Sequence, residues 1–107
     1  MEPVYLDHAA TSPLRPEAVE AFVAASGLVG NASSLHRPGQ RARRRLEEAR
    51  EELAAAVGAS PSEVIFTSGG SEADTIAVLG GWEAGRSRGR TRCLVSAVEH
   101  PAVKGAV

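Results

Sequence analysis

The sequence predicts an α/β fold with parallel strands, and three observations carry that prediction. Glu63-Val64-Ile65-Phe66-Thr67 is a short apolar, β-branched run suited to a buried strand. Ser68-Gly69-Gly70-Ser71 breaks it, and helical spacing resumes from Glu72 to about Trp82 through Ala73, Ile76, Ala77 and Gly80. After a turn over residues 85–90, residues 92–98 read as a second strand. Strand, helix and strand in this order make a right-handed crossover unit whose two strands run parallel.

The other elements follow from local chemistry. Val4-Tyr5-Leu6 reads as extended, and residues 7–13 then supply small residues, hydroxyls and a proline stop, so residues 1–14 form an arm. From Pro16 to about Leu28, Ala18, Val19, Phe22, Val23 and Ala25 suggest an amphipathic helix, with Pro16 in its first turn and Gly27 and Gly30 near its end. Residues 31–39 are polar, lack either regular period and read as a loop. Residues 40–57 carry the strongest helical pattern: Ala42, Leu46, Ala49, Leu53 and Val57 recur at steps of three or four, and Gly58 is placed as a left-handed stop. Pro101 opens a last helix that ends at Val107 without a cap or polar tail, which reads as a truncation.

Composition bounds the possibilities. The 107 residues are 43% hydrophobic and 23% charged, the make-up of one globular domain at most. A formal net charge of -1 gives no field that would draw the chain to nucleic acid or an anionic membrane. Arg41, Arg43, Arg44 and Arg45 are followed by Glu47, Glu48, Glu51 and Glu52 closely enough for i,i+4 pairing on a helix, and Arg86, Arg88, Arg90 and Arg92 lie in a Gly/Ser-rich turn; both clusters read as solvated surface. The start has no basic stretch followed by an apolar run, and no stretch approaches the roughly 20 apolar residues of a membrane span, so a cytoplasmic protein is expected. Cys93, the only cysteine, lies in an alternating segment and reads as a buried, unreactive thiol. No metal-ligand cluster is predicted.

In parallel α/β sheets, ligands bind beyond the carboxyl ends of the strands, where loops enter helices. Ser68-Gly69-Gly70-Ser71 occupies that edge: glycine lets backbone N–H groups approach closely, and the positive end of a helix dipole follows. That combination suits a phosphate. Ser71 either adds a hydroxyl donor or caps the helix in a box with Asp74. The pattern lacks the Gly-Lys-Ser/Thr of a nucleotide P-loop and the three-glycine dinucleotide fingerprint. Glu99-His100-Pro101 puts an imidazole at the end of the second strand, held extended by the proline and expected near the first loop. There it could stack on an aromatic cofactor or move protons near neutral pH.

Four motifs in one order, Tyr5-Leu6-Asp7-His8-Ala9-Ala10-Thr11-Ser12-Pro13, Gly30-Asn31-Ala32-Ser33-Ser34-Leu35-His36, Phe66-Thr67-Ser68-Gly69-Gly70-Ser71-Glu72-Ala73-Asp74 and Glu99-His100, resemble cysteine desulfurases of the NifS/IscS type. The resemblance runs over the whole chain. It implies the N-terminal part of the three-layer α/β/α fold of fold-type-I pyridoxal-phosphate (PLP) enzymes, within the class V aminotransferase group, with the sheet incomplete in this chain. Residues 1–14 would pack with the small domain, and residues 15–107 would form the first part of the large PLP-binding domain. The activity implied is conversion of L-cysteine to L-alanine with sulfur transfer to an enzyme cysteine, for iron-sulfur cluster or thio-cofactor assembly, by a homodimer that meets a sulfur-acceptor or scaffold protein. Carried over by position, Gly70 and Ser71 bind the cofactor phosphate, and His100 stacks on the pyridine ring and assists proton transfer.

Ser71 stands where threonine is commoner, Thr75 where asparagine is frequent and Ala32 where proline is frequent; His8 replaces a tyrosine or asparagine and receives no role. The roles of Asn31, Ser34 and His36 stay open. The Schiff-base lysine, the aspartate on the pyridine nitrogen, the substrate-carboxylate arginine and the mobile cysteine all lie downstream in the family, so these residues alone are expected to be inactive. Lys104, the only lysine, lacks the surroundings of a Schiff-base residue and reads as surface. Two alternatives remain: another class V PLP enzyme, such as an aminotransferase or a selenocysteine lyase, and a non-catalytic phosphate-binding module. Uncovered sheet edges and apolar faces weigh against the second.

Overall fold

The computed structural model describes residues 3–107, which fall into two units, one ending at Val64 and the other spanning Ile65–Val107. The first unit holds α1 (Pro16–Ser26), α2 (Arg37–Val57) and a 3-10 turn (Pro61–Glu63). The second holds α3 (Gly70–Arg86) and α4 (Pro101–Lys104), which pack on each other.

Pro16 opens α1 as its fixed φ allows, and Gly27 ends it two residues earlier than the pattern suggested. The arm before it is tied locally. The Tyr5 hydroxyl donates to the carbonyls of Asp7 at 2.8 Å and Thr11 at 3.1 Å, and its ring meets His8 edge-on at 5.1 Å.

α2 starts three residues earlier than predicted. His36 is its N-cap: the imidazole Nδ1 accepts from the Gly39 N–H at 3.3 Å, and Pro38 sits in the first turn, where a missing N–H costs nothing. The preceding loop is folded back on this helix start. The Asn31 side-chain oxygen accepts from the Ser33 N–H at 2.9 Å, its carbonyl accepts from the Ser34 N–H at 2.9 Å, and the Gln40 amide donates to the Leu35 carbonyl at 2.8 Å. Gly39 is buried, and a Cβ there would lie 2.5 Å from the Ser34 carbonyl oxygen and 2.7 Å from that of Asn31. At its other end α2 closes as predicted. Gly58 takes the left-handed conformation at φ 69°, and its N–H bonds back to the last turn.

The arginine and glutamate side chains of α2 pair mainly at i,i+3 rather than i,i+4: Arg45 with Glu48 at 3.7 Å and Arg50 with Glu47 at 3.1 Å, while Arg45 also reaches Glu52 at 3.5 Å. In the second arginine cluster, Arg86 belongs to the end of α3 rather than to the turn, and pairs with Glu83 at 3.2 Å.

The two expected strands are not formed. Glu63 belongs to the 3-10 turn, where its carboxylate accepts from the Ser60 N–H at 2.7 Å; Val64 is extended at φ -97° and ψ 120°, and residues 64–67 form no ladder. Residues 91–96 likewise form no ladder, and the segment ends early in a turn over residues 97–98, with the Val98 N–H on the Ser96 hydroxyl at 3.3 Å. Parallel strands are stable as a buried sheet, with neighbours on their edges and cover on both faces, and a lone pair is marginal. The described residues supply no such cover. Ile65 is 69% exposed and Leu94 88%, against the burial predicted for both segments. Cys93 is corrected for the same reason: the thiol is exposed. Among the described residues, Ala54 is the buried hydrophobic residue.

The close approach at Gly39 makes a direct prediction. Gly39→Ala forces the 31–34 loop off the start of α2 and destabilises the first unit by about 1–3 kcal/mol, the usual cost of overpacking. Denaturant unfolding reads the loss, and faster amide exchange at Ser34 and Gln40 locates it.

Candidate functional site

The turn that enters α3 is built from Thr67 to Glu72. Gly69, the N-cap, is extended at φ 167° and ψ 178° and contributes no side-chain cap. The Thr67 hydroxyl donates to the Gly69 carbonyl at 3.1 Å, which pins the turn from its strand side. From the helix side, one oxygen of Glu72 accepts from both the Ser68 N–H at 2.6 Å and the Ser68 hydroxyl at 2.7 Å.

This arrangement corrects the sequence reading of the cap. The predicted box between Ser71 and Asp74 is absent; Glu72 reaches back to Ser68 instead, because a helix opening at Gly70 puts position 72 one turn above Ser68. Thr75, a position of no assigned role, donates its hydroxyl to the Ser71 carbonyl at 2.8 Å within the helix.

The donor set left over is the site's main feature. The first hydrogen bond into α3 is from the Ala73 N–H to the Gly69 carbonyl at 3.1 Å, and the N–H groups of Gly70, Ser71 and Glu72 make none among the described residues. Nor does the Ser71 hydroxyl. Nothing lies within 4 Å of where a Cβ would stand at Gly69 or Gly70, so the approach to these amides is open. Three backbone donors, a hydroxyl and the positive end of a 17-residue helix make a donor set whose chemistry suits an anion.

Glu72 is the opposing charge. Its carboxyl is held below the ordinary value of 4.5, first by the hydrogen bond from the Ser68 hydroxyl and then by that from the Ser68 N–H, against a small effect of burial. With both strong contacts turned toward Ser68, the carboxylate serves the turn.

His100 caps α4. Its backbone is extended at φ -58° and ψ 146°, as the following proline requires, and Nδ1 accepts from the Ala102 N–H at 3.1 Å. A ring nitrogen that accepts from an amide carries no proton, so in the neutral ring the proton is on Nε2. His100 and Ser71 thus open two helices that pack together within one unit, α4 and α3. No hydrogen bond or ring contact joins the two residues among those described.

An open cleft of about 430 Å³ lies along the middle of α3, lined by Trp82, Arg92, Leu94, Glu99 and Val103 among others, and includes neither the 68–71 turn nor His100. Of the three residues with open roles, the Asn31 side-chain oxygen and His36 Nδ1 bond within the loop and cap of α2, and the Ser34 N–H donates to the Asn31 carbonyl. Sequence reasoning places Ser68 in the loop but gives no role to Thr67 or Glu72 and does not foresee the Ser68–Glu72 contact. The available signal was a carboxylate one helical turn after a hydroxyl residue at a helix start. No His, Cys, Asp or Glu cluster suited to a metal occurs among the described residues, and no helix of the structure is long and apolar enough to cross a membrane.

The depressed carboxyl gives a pH prediction. Because the folded value lies below the unfolded one, the Glu72–Ser68 contacts contribute fully above the unfolded value and are lost as pH falls through the folded value. The Ser68 amide resonance therefore titrates with a midpoint below 4.5, and Glu72→Gln removes that titration; an NMR pH series follows both.

The aminotransferase class-V family model matches residues 4–107. An IscS-like cysteine desulfurase of Mycobacterium tuberculosis (strain ATCC 25618 / H37Rv) is 54% identical over 105 residues, covering 96% of this chain and 27% of that protein. A cysteine desulfurase of Frankia sp. (strain EuIK1) is 48% identical over 104 residues, 96% of this chain and 25% of its own. The cysteine desulfurase IscS of Dictyoglomus turgidum (strain DSM 6724 / Z-1310) is 46% identical over 101 residues, 94% of this chain and 25% of its own. The chain thus spans about a quarter of the length of the curated relatives it matches. With a family match over nearly its whole length, the chain belongs to the aminotransferase class-V family.

Proposed function

We propose that this chain is the N-terminal part of a PLP-dependent cysteine desulfurase, with Gly70 and Ser71 holding the cofactor phosphate and His100 covering the pyridine ring. The observation that carries the reading is the set of unbonded donors at the start of α3: the N–H groups of residues 70–72 and the Ser71 hydroxyl, open on the glycine side. Their chemistry fits a phosphate ester, which accepts several N–H and O–H bonds and gains from the helix dipole. The names of the relatives support cysteine as the substrate.

Bound there, PLP supplies an electron sink for bond breaking at the substrate α-carbon. The chain's own residues anchor and orient it. Thr67 and Glu72 hold the turn from either side of Gly69, leaving the amides of residues 70–72 as donors, and Ser71 adds a hydroxyl donor from the first helical turn. The Ala102 N–H keeps His100 Nδ1 as an acceptor and leaves Nε2 as the ring atom that exchanges a proton with a group above it. The lysine, aspartate, arginine and mobile cysteine of the reaction come from the remaining three-quarters of the protein. Residues 1–14 act as an arm on the small domain, and residues 15–107 form the first part of the large domain, whose sheet is completed by later strands. The whole protein is a cytoplasmic homodimer that passes sulfur to an acceptor or scaffold protein.

The purified full-length protein is expected to be yellow and to release alanine from L-cysteine, with sulfide appearing when a thiol reductant is supplied. A colourless protein that yields no alanine contradicts the reading. Ser71→Ala weakens PLP retention by the worth of one hydrogen bond to a charged group, on the order of 1.5–3 kcal/mol. Equilibrium titration of the apo-protein with PLP measures it, and unchanged retention removes Ser71 from the site.

A further inference from the structure

A glutamate in the first turn of a helix is drawn back onto the unbonded N–H groups at the helix start. The chain shows this at its 3-10 turn, where Glu63, the third residue after the cap, takes the N–H of the cap itself, Ser60, at 2.7 Å. Glu72 holds the same position in α3, since Gly69 is the cap and Gly70 the first helical residue. Yet it passes over the Gly69 N–H, which makes no hydrogen bond among the described residues, and closes on Ser68 instead.

The Ser68 hydroxyl makes the difference. One carboxylate oxygen of Glu72 takes both the Ser68 N–H at 2.6 Å and the Ser68 Oγ–H at 2.7 Å, and two donors to a charged oxygen outweigh the single amide of the cap. Without that hydroxyl the nearest unbonded donors are the amides of residues 69–72, beside the positive end of the helix dipole. A carboxylate and a phosphate ester compete for such donors, because both are anions that accept N–H bonds. Glu72 is thus an internal rival for the donor set, and Ser68 holds it off.

We propose that Ser68 is a positioning residue that acts through Glu72: by latching the carboxylate before the helix, it reserves the amides that open α3 for the phosphate of the ligand. This rests on the phosphate reading of the turn. It assigns Ser68 no contact with cofactor or substrate, and it makes the pair a built-in guard against self-capping of α3.

The test titrates apo forms of the full-length protein with PLP: the parent, Ser68→Ala, Glu72→Gln and the double variant, with Ser71→Ala as the control. Ser68→Ala is expected to lose about tenfold in affinity, on the scale of one hydrogen bond to a charged group. Its apo melting temperature holds, because the freed carboxylate caps its own helix. Adding Glu72→Gln brings the affinity back close to that of the parent, and Ser68→Thr, which keeps the hydroxyl, binds as the parent does. In apo Ser68→Ala the acid titration seen by NMR moves from the amide at position 68 to the amides of residues 69–72. Unchanged affinity in Ser68→Ala, an equal loss in Ser68→Thr, or a loss that Glu72→Gln does not reverse overturns the inference while leaving the site reading in place. If the full-length protein binds no PLP, or Ser71→Ala has no effect, the site reading falls and this inference with it. Should Ser68→Ala not fold, Glu72→Gln alone carries the test. It keeps an acceptor oxygen for Ser68 and drops the charge, so binding at least as tight as the parent's is expected, and weaker binding contradicts the proposal.

Discussion

α3 opens at Gly70 behind the N-cap Gly69, and its first three N–H groups make no hydrogen bond among the described residues. Gly69 and Gly70 put no side chain over the start of α3, so the amides of residues 70–72 stay accessible. A side chain that capped them would have occupied the place where an anion gains most from backbone donors and dipole. Thr67 and Glu72 turn their polar atoms on the Gly69 carbonyl and on Ser68, one and two residues before the helix. The turn is held from both sides without using the donors themselves.

The rest of the chain shows what such a turn needs around it. Phe22, Ile65, Leu94 and Val98 are exposed, and burying such side chains fully is worth about 1.5–3 kcal/mol each. Apolar faces of this kind belong under cover, and short chains bury too small a share of their surface to supply it themselves. Local devices carry the order that is present: the arm tied by Tyr5, the loop folded onto Gly39, the αL stop at Gly58 and the Arg50 bridge to Val64. All are polar or steric, and none depends on a large hydrophobic core.

How much of this was legible in the sequence depended on the range of the interaction. The pattern from Ala42 to Val57, the glycine after it and the proline at position 101 are short-range signals, and the helices they mark are present. The start of α2 was read three residues late because His36 is an unusual cap, recognisable only once its imidazole meets the Gly39 amide. The segments at 63–67 and 92–98 have strand composition, yet pairing is a non-local property and no ladder forms among the described residues. The exposed thiol of Cys93 follows from the same gap. At the site, glycine and serine chemistry points to the donors at residues 70 and 71, whereas reading the cap as a Ser71–Asp74 box hides the Ser68–Glu72 spacing. The Arg50 contact spans fourteen residues and leaves no periodic mark.

The central claim is that the amides opening α3 bind the phosphate of PLP. Its most direct measurement compares amide resonances of the full-length apo-protein on addition of PLP and of pyridoxal, which lacks the phosphate. The account predicts that Gly70 and Ser71 shift strongly with PLP and little with pyridoxal at equal occupancy. Equal shifts with the two ligands, or a response to PLP confined to other residues, would contradict it.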